Sequence, residues 1–201
     1  MENKKLLKLL SEANGVSGFE KNLSKIIKDA FKEYSDNISI DSLGNLTATK
    51  WADNQKDNTP DLMLAAHMDE IGLMVKNIDE NGFIRFTNIG GVDPRTLMAQ
   101  EVIIHGKEEI EGIIGAKPPH LLTDEETNKS PGLDKLYIDT ALNKDKLDKV
   151  ITVGDMITIK RNFMSLKNDY VSGKALDDRA GVVMLYECLK ELSYLKTNIN
   201  V

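Results

Sequence analysis

The chain has 201 residues and a net charge of −6, with 41% hydrophobic and 29% charged residues. That length and balance suit one ordinary soluble globular domain, or one domain carrying an insertion. Mild acidity without a basic patch argues against nucleic acid or an anionic membrane as partner, and no apolar run approaches the length of a membrane span.

The N-terminal stretch MENKKLLKLLSEANG lacks the continuous apolar core and cleavage site of a signal peptide. Residues 2–13 read instead as a short helix stopped by Asn14-Gly15. Ser17 and Glu20 have the S-x-x-E spacing of a capping box. They precede a helix in which Phe19, Leu23, Ile26, Ile27, Ala30 and Phe31 recur at helical spacing, running to about Tyr34. NISIDSLGNLTATK, residues 37–50, predicts two strands around a turn where Gly44 and Asn45 can take positive φ. Residues 51–60, WADNQKDNTP, predict a surface loop. DLMLAAH, residues 61–67, is apolar on successive residues and predicts a strand covered on both faces, at the centre of an α/β sheet.

From residue 72 the character changes. GLMVKNID, GFIRFTNI, EVIIHGK, EIEGIIGA and DMITIKR are short strand-like runs separated by turn signals, which suggest a small barrel or sandwich. Residues 121–135 predict a mobile or partner-dependent loop. The helical period returns over residues 173–196, with Val182, Leu185, Tyr186, Leu189 and Leu192 on one face. Met184, Cys188 and Leu195 widen that face and predict a substantially buried helix. Ile199 and Val201 look like the start of another strand, so the sheet reads as cut off mid-element. Cys188 is the lone cysteine. It excludes an intrachain disulfide, fits a reducing cytoplasm, and reads as a small core residue. The order α/β, then all-β, then α/β is that of a β-domain inserted into an α/β domain.

The chemistry concentrates in two places. His67 ends the apolar run of residues 62–66, and Asp69 follows at period-two spacing, so an extended backbone sends both to one side. Neutral imidazole is the commonest metal ligand, and a carboxylate often orients it through its other nitrogen. The loop at the carboxyl end of a sheet strand is also where α/β proteins place their sites. In ALDDRAG, residues 175–181, Asp177 and Asp178 open a helix. Acids favour a first turn, and adjacent helical residues diverge by about 100°. One aspartate as ligand and one as cap or ion-pair partner follows, with Arg179 the nearest partner. His105 and His120 read as structural or surface residues, and Gly90-Gly91-Val92-Asp93-Pro94 as turn chemistry. With no GxSxG elbow or HExxH helix, metal-activated water is the simplest hydrolytic chemistry these residues allow.

Together AAHMDEIG (65–72), IGGVDPR (89–95), IIGAKPPH (113–120) and GKALDDRAG (173–181) resemble the glutamyl and tetrahedral aminopeptidases, some of them called cellulase M or endoglucanase. GVSGFE (15–20) and DSLGN (41–45) extend the resemblance over nearly the whole chain. Each stretch is modest evidence, and their shared order makes the resemblance specific. It implies an α/β peptidase domain, residues 1–72 and 166–201, incomplete at its C-terminus. A β-rich, PDZ-like or barrel-like dimerisation domain would interrupt it at 73–165. It also implies a pair of divalent cations, zinc or cobalt: His67 would bind one, Asp177 would bridge both, and Asp69 would support the site. The expected activity is cytoplasmic removal of N-terminal residues from short peptides, by a homo-oligomer ranging from dimer to dodecamer.

In that family a general-base glutamate and the remaining ligands come later than Val201. The resemblance therefore predicts a chain with little or no activity alone. Two other readings stand beside it: a non-catalytic assembly or binding module, and a glycoside hydrolase using Asp69 and Asp177, whose carboxyls would need to lie about 5–10 Å apart.

Overall fold

The structure, a computed structural model, describes residues 3–123 and 131–201. Two compact units divide the chain. One contains residues 1–70 and 162–201, the other residues 71–161. The division falls slightly earlier than the boundaries at 72 and 165 expected from the sequence. In chain order the first unit holds helix α1 (Asn3–Glu12), helix α2 (Lys21–Phe31) and strands β1 (Asn37–Ile40) and β2 (Leu46–Thr49). The second holds β3 (Gly72–Ile78), β4 (Ile84–Ile89), β5 (Glu101–His105), β6 (Glu109–Gly115), β7 (Tyr137–Asp139), helix α3 (Lys144–Val150) and β8 (Met156–Ile159). The chain then returns to the first unit with β9 (Met164–Ser165), β10 (Val171–Ser172) and helix α4 (Leu176–Leu192). No helix among the described residues is long and apolar enough to cross a membrane.

In the first unit the apolar stripes meet as helical spacing requires. Leu6 and Leu10 of α1, Leu23, Ile27 and Phe31 of α2, and Val182, Val183, Tyr186 and Leu189 of α4 form one buried cluster. Tyr186 packs edge-on against Phe31 and Tyr34, with ring centroids 5.9 and 5.6 Å apart. β1 and β2 form the antiparallel hairpin expected over residues 37–50, pairing Asn37 with Thr49 and Ile40 with Leu46. Its turn is organised by Asp41, whose carboxylate accepts from Leu43 and Asn45, with Gly44 at φ +91°.

The second unit is a closed barrel of order β3-β4-β7-β6-β5-β8, with β8 returning to β3. Alternation decides its interior. Leu73 and Val75, Ile84 and Phe86, Val102 and Ile104, and Ile114, Ile138 and Ile157 are buried together. Helix α3 was not anticipated, although Asn143 supplies a cap: its side-chain oxygen accepts from the Lys146 amide at 3.1 Å. Residues 124–130 of the loop expected at 121–135 lie outside the described residues, and Leu133–Lys135 form a 3₁₀ turn.

Four expectations are corrected. There is no capping box: α2 starts at Lys21 without a side-chain cap, and Glu20 accepts instead from the Gly18 amide at 2.7 Å. Residues 62–69 join no strand. Only the ends of the apolar run are tied, through Asp61 to Asn200 and Glu70 to Val16. Leu62, Met63 and Leu64 meet solvent, Met63 at 88% exposure, because no described segment lies over them. Cys188 is exposed, and so are Met184 and Leu195. They lie beyond the stripe that α1 and α2 cover, so that helix is buried on a narrower face than its composition suggests. Arg179, fourth, turns away from the aspartates beside it.

Candidate metal centre

The His67 ring is held from both ends. Nδ1 lies 3.0 Å from Asp69 Oδ1 and Nε2 lies 3.1 Å from Asp177 Oδ1. The second contact joins residues 110 positions apart. The site is open, since the His67 side chain is 56% exposed and that of Asp177 96%. Desolvation pulls the His67 pKa down, but the hydrogen bonds and charges of Asp177 and Asp69 outweigh it, and the ring sits above its ordinary value.

The backbone explains how Asp177 reaches the ring. Ala175 takes a left-handed conformation (φ 54°), Asp177 is extended (φ −91°, ψ 106°), and regular helix begins only after Asp178. Adjacent side chains can then diverge. Asp177 turns outward to His67, while Asp178 turns back to accept the Gly181 amide at 3.0 Å. The peptide between them is cis.

Arg179 partners neither aspartate, as the sequence suggested it would. It is fully buried and donates to the carbonyls of Leu10, Ala13 and Met68 at 2.6, 2.6 and 2.8 Å. Its remaining nitrogen lies 3.5 Å from Glu70. Burial wins here because a buried guanidinium needs polar partners beside it, and Leu10, Ala13, Met68 and Glu70 supply them, whereas Asp177 lies in solvent. Glu70, also buried, is the hub that sequence reasoning missed. Its carboxylate receives Lys174 at 2.7 and 2.9 Å and the Gly15 amide at 3.0 Å, while its own amide donates to the Gly15 carbonyl at 2.8 Å. A glycine at 15 leaves room for Leu23 and Arg179, because a Cβ there would sit 2.7 Å from a methyl carbon of Leu23 and 3.0 Å from an Arg179 nitrogen. Burial lowers the pKa of both Lys174 and Arg179, with Glu70 opposing the shift. The one available signal was a second acid, next to Asp69, just after the apolar run.

An imidazole nitrogen and a carboxylate oxygen converging at a solvent-open point suit a divalent cation. Metal–ligand bonds of about 2.0–2.2 Å place two ligand atoms of a tetrahedral ion about 3.3 Å apart, close to the separation found. Among the described residues no group of three or more His, Cys, Asp or Glu side chains gathers to hold a metal. These residues therefore fit part of a ligand set.

The model of the M42 glutamyl aminopeptidases matches residues 44–201. The chain belongs to that family. M42 aminopeptidases are metal-dependent hydrolases. The chain is 32% identical to the lysyl aminopeptidase of Pyrococcus furiosus over 201 residues, 98% of this chain and 57% of that one. Among solved structures it resembles an aminopeptidase of the archaeon Desulfurococcus kamchatkensis, with a TM-score of 0.90 and 33% identity, covering 100% of this chain and 54% of the other. It also resembles the TET1 peptidase of Pyrococcus horikoshii, which can assemble into a tetrahedron or a large octahedral shell. There the TM-score is 0.86 and the identity 31%, over 100% of this chain and 59% of the other. The chain thus spans about half the length of the relatives it matches. The other two histidines of this M42 chain belong to the barrel unit. His105 Nε2 bonds the Thr158 hydroxyl at 2.9 Å, and His120 lies in a 3₁₀ turn.

Proposed function

We propose that the chain carries part of the catalytic site of a metal-dependent aminopeptidase that removes N-terminal residues from short peptides. The observation that carries this reading is the meeting of His67 Nε2 and Asp177 Oδ1 in a member of the M42 family. His67 and Asp177 are the metal donors. Asp69 keeps the imidazole plane and the Nδ1 proton in place, leaving Nε2 to face the ion. A pair of zinc or cobalt ions, when bound, supplies a water acidified toward neutral pH and polarises the peptide carbonyl. Asp177, turned out into solvent, keeps a carboxylate oxygen within reach of an approaching substrate.

Catalytic zinc usually has three protein ligands, more than His67 and Asp177 supply. Among the described residues the carboxylates that bond His67 are those of Asp69 and Asp177, and this reading commits both to the metal site, leaving neither as general base. Lack of a base lowers a rate by about 10²- to 10⁴-fold. Residues 1–201 by themselves should bind a cation weakly and turn over little peptide. We assign residues 71–161 to self-association into a homo-oligomer. The assembly of the Pyrococcus horikoshii peptidase supports this, as do exposed Ile71, Met98, Ile113 and Val153, apolar surface that an assembly would cover.

Zinc titration of the 201-residue protein, followed by NMR of its histidine rings, tests the metal assignment. His67 should move, and Asp177→Ala should abolish the movement. Zinc uptake that leaves His67 untouched would overturn the assignment. Rapid, chelator-sensitive release of N-terminal residues by the same sample would overturn the expectation of low turnover.

A further inference from the structure

The Ser17 hydroxyl, which does not cap α2, points at Asp69 and bonds its Oδ2. Asp69 Oδ1 faces His67 Nδ1 at 3.0 Å. Each oxygen of this carboxylate thus has its own protein partner, and the contacts run in series from Ser17 through Asp69 and His67 to Asp177. We propose that Ser17 is a positioning residue, whose hydroxyl sets the rotation of the Asp69 carboxylate and through it the plane of the His67 ring. This inference rests on the metal reading of His67 given above, and reaches one residue further from the metal.

The Ser17 hydroxyl acts on orientation more than on strength. A carboxylate held through one oxygen can rotate about its Cβ–Cγ bond at little cost, because that torsion is broad. Held through both oxygens, it cannot rotate without losing a charge-assisted hydrogen bond. At this half-exposed site water could satisfy the lost acceptor, so the hydroxyl contributes mainly geometry. Geometry is what a metal-binding imidazole needs from the groups behind it.

The hydroxyl can perform this task only if its own backbone is held, and it is. Val16 forms a bridge with Glu70, and the Phe19 amide donates to the Val16 carbonyl at 2.7 Å. Gly18 turns the chain at φ +85°, and the Glu20 carboxylate closes the turn on the Gly18 amide. Glu70 itself is clamped by Lys174 and Arg179. Segments 15–18, 67–70 and 174–179 meet at that buried carboxylate, and they carry Ser17, the His67–Asp69 pair and Asp177. The S-x-x-E spacing in the sequence therefore serves a turn and a site.

Crystal structures of the metal-free protein and its variants give the first test. In Ser17→Ala the Asp69 carboxylate should rotate away from His67 Nδ1, and in Ser17→Thr, which keeps the hydroxyl, it should stay. An Asp69 that holds its place in Ser17→Ala overturns the proposal, whatever zinc does. The second test is the His67 zinc titration. Ser17→Ala should weaken zinc binding about 3- to 10-fold, at or below the low end of the range for groups behind a metal ligand, and Ser17→Thr should restore it. Unchanged affinity in Ser17→Ala, with a parent that does bind zinc at His67, also overturns it. If the parent shows no zinc response at His67, the metal reading fails by itself, and the Asp69 geometry still decides the role of Ser17.

Discussion

The two units solve the same problem in opposite ways. In residues 71–161 every barrel strand has a partner on each side, and the interior is filled by the unit's own alternating Leu, Ile and Val. In residues 1–70 and 162–201 the helices pack well, but residues 62–69 join no strand. There an open groove of about 730 Å³ is lined by Ile27, Leu64, Ala66, Leu185 and Leu189. The difference teaches that closure, not nearness in sequence, satisfies a sheet: the barrel pairs Leu73 with Ile157 and Val102 with Ile159 inside one unit, whereas residues 62–69 have no partner strand among the described residues. The candidate site lies in the second, less satisfied kind of structure, where His67 and Asp177 keep their contact with solvent.

Hydrogen exchange should expose this contrast most strongly. Amides of Val75, Ile104 and Ile114, inside closed ladders, should exchange several orders of magnitude more slowly than those of Met63 to Ala66, which join no ladder. Equal protection in the two stretches would erase the distinction.

A smaller but sharper effect should come from Glu70→Gln. It strips the counter-charge from Lys174 and Arg179, whose side chains are 10% and 0% exposed. Removing one member of a buried ion network costs about 3–5 kcal/mol. Trp51, the only tryptophan, lies in the same unit. Its fluorescence should report earlier unfolding in denaturant, while barrel amides keep their protection. A loss shared equally by both units would mean that they unfold as one.

The reciprocal change, Ile104→Ala, opens a cavity in the fully buried barrel core and should cost about 2–4 kcal/mol. It should show in barrel exchange and leave the Trp51 transition in place. Movement of that transition by a similar amount would again couple the units.

Much of the fold was legible. The stripe Leu23, Ile27 and Phe31 could face only one way on a helix, and the Asp41–Asn45 turn could close only a hairpin. Short strand-like runs between turn signals likewise announced β3 to β6 and β8, while β7 (Tyr137–Asp139) was not anticipated. Residues 62–66 misled, because an apolar run signals a need for burial without naming what covers it. Cys188 misled similarly: its spacing put it near the apolar stripe of α4, and the width of the covering layer put it outside. At the site, His67, Asp69 and Asp177 stood out by residue type. The role of Glu70 did not, since nothing local distinguishes a buried acid from a solvated one.

The sequence alone determined three of the four helices among the described residues, most of the barrel strands and the donor types, because periodicity and turn chemistry act over a few residues. Tertiary structure decided the pairings. Ser17 meets Asp69 across 52 positions, Lys174 meets Glu70 across 104, and Asp177 meets His67 across 110. Over such separations a side chain's partner is set by which segments the packed helices bring together, and a polar group buried there must pair with whatever acceptor or charge is buried beside it.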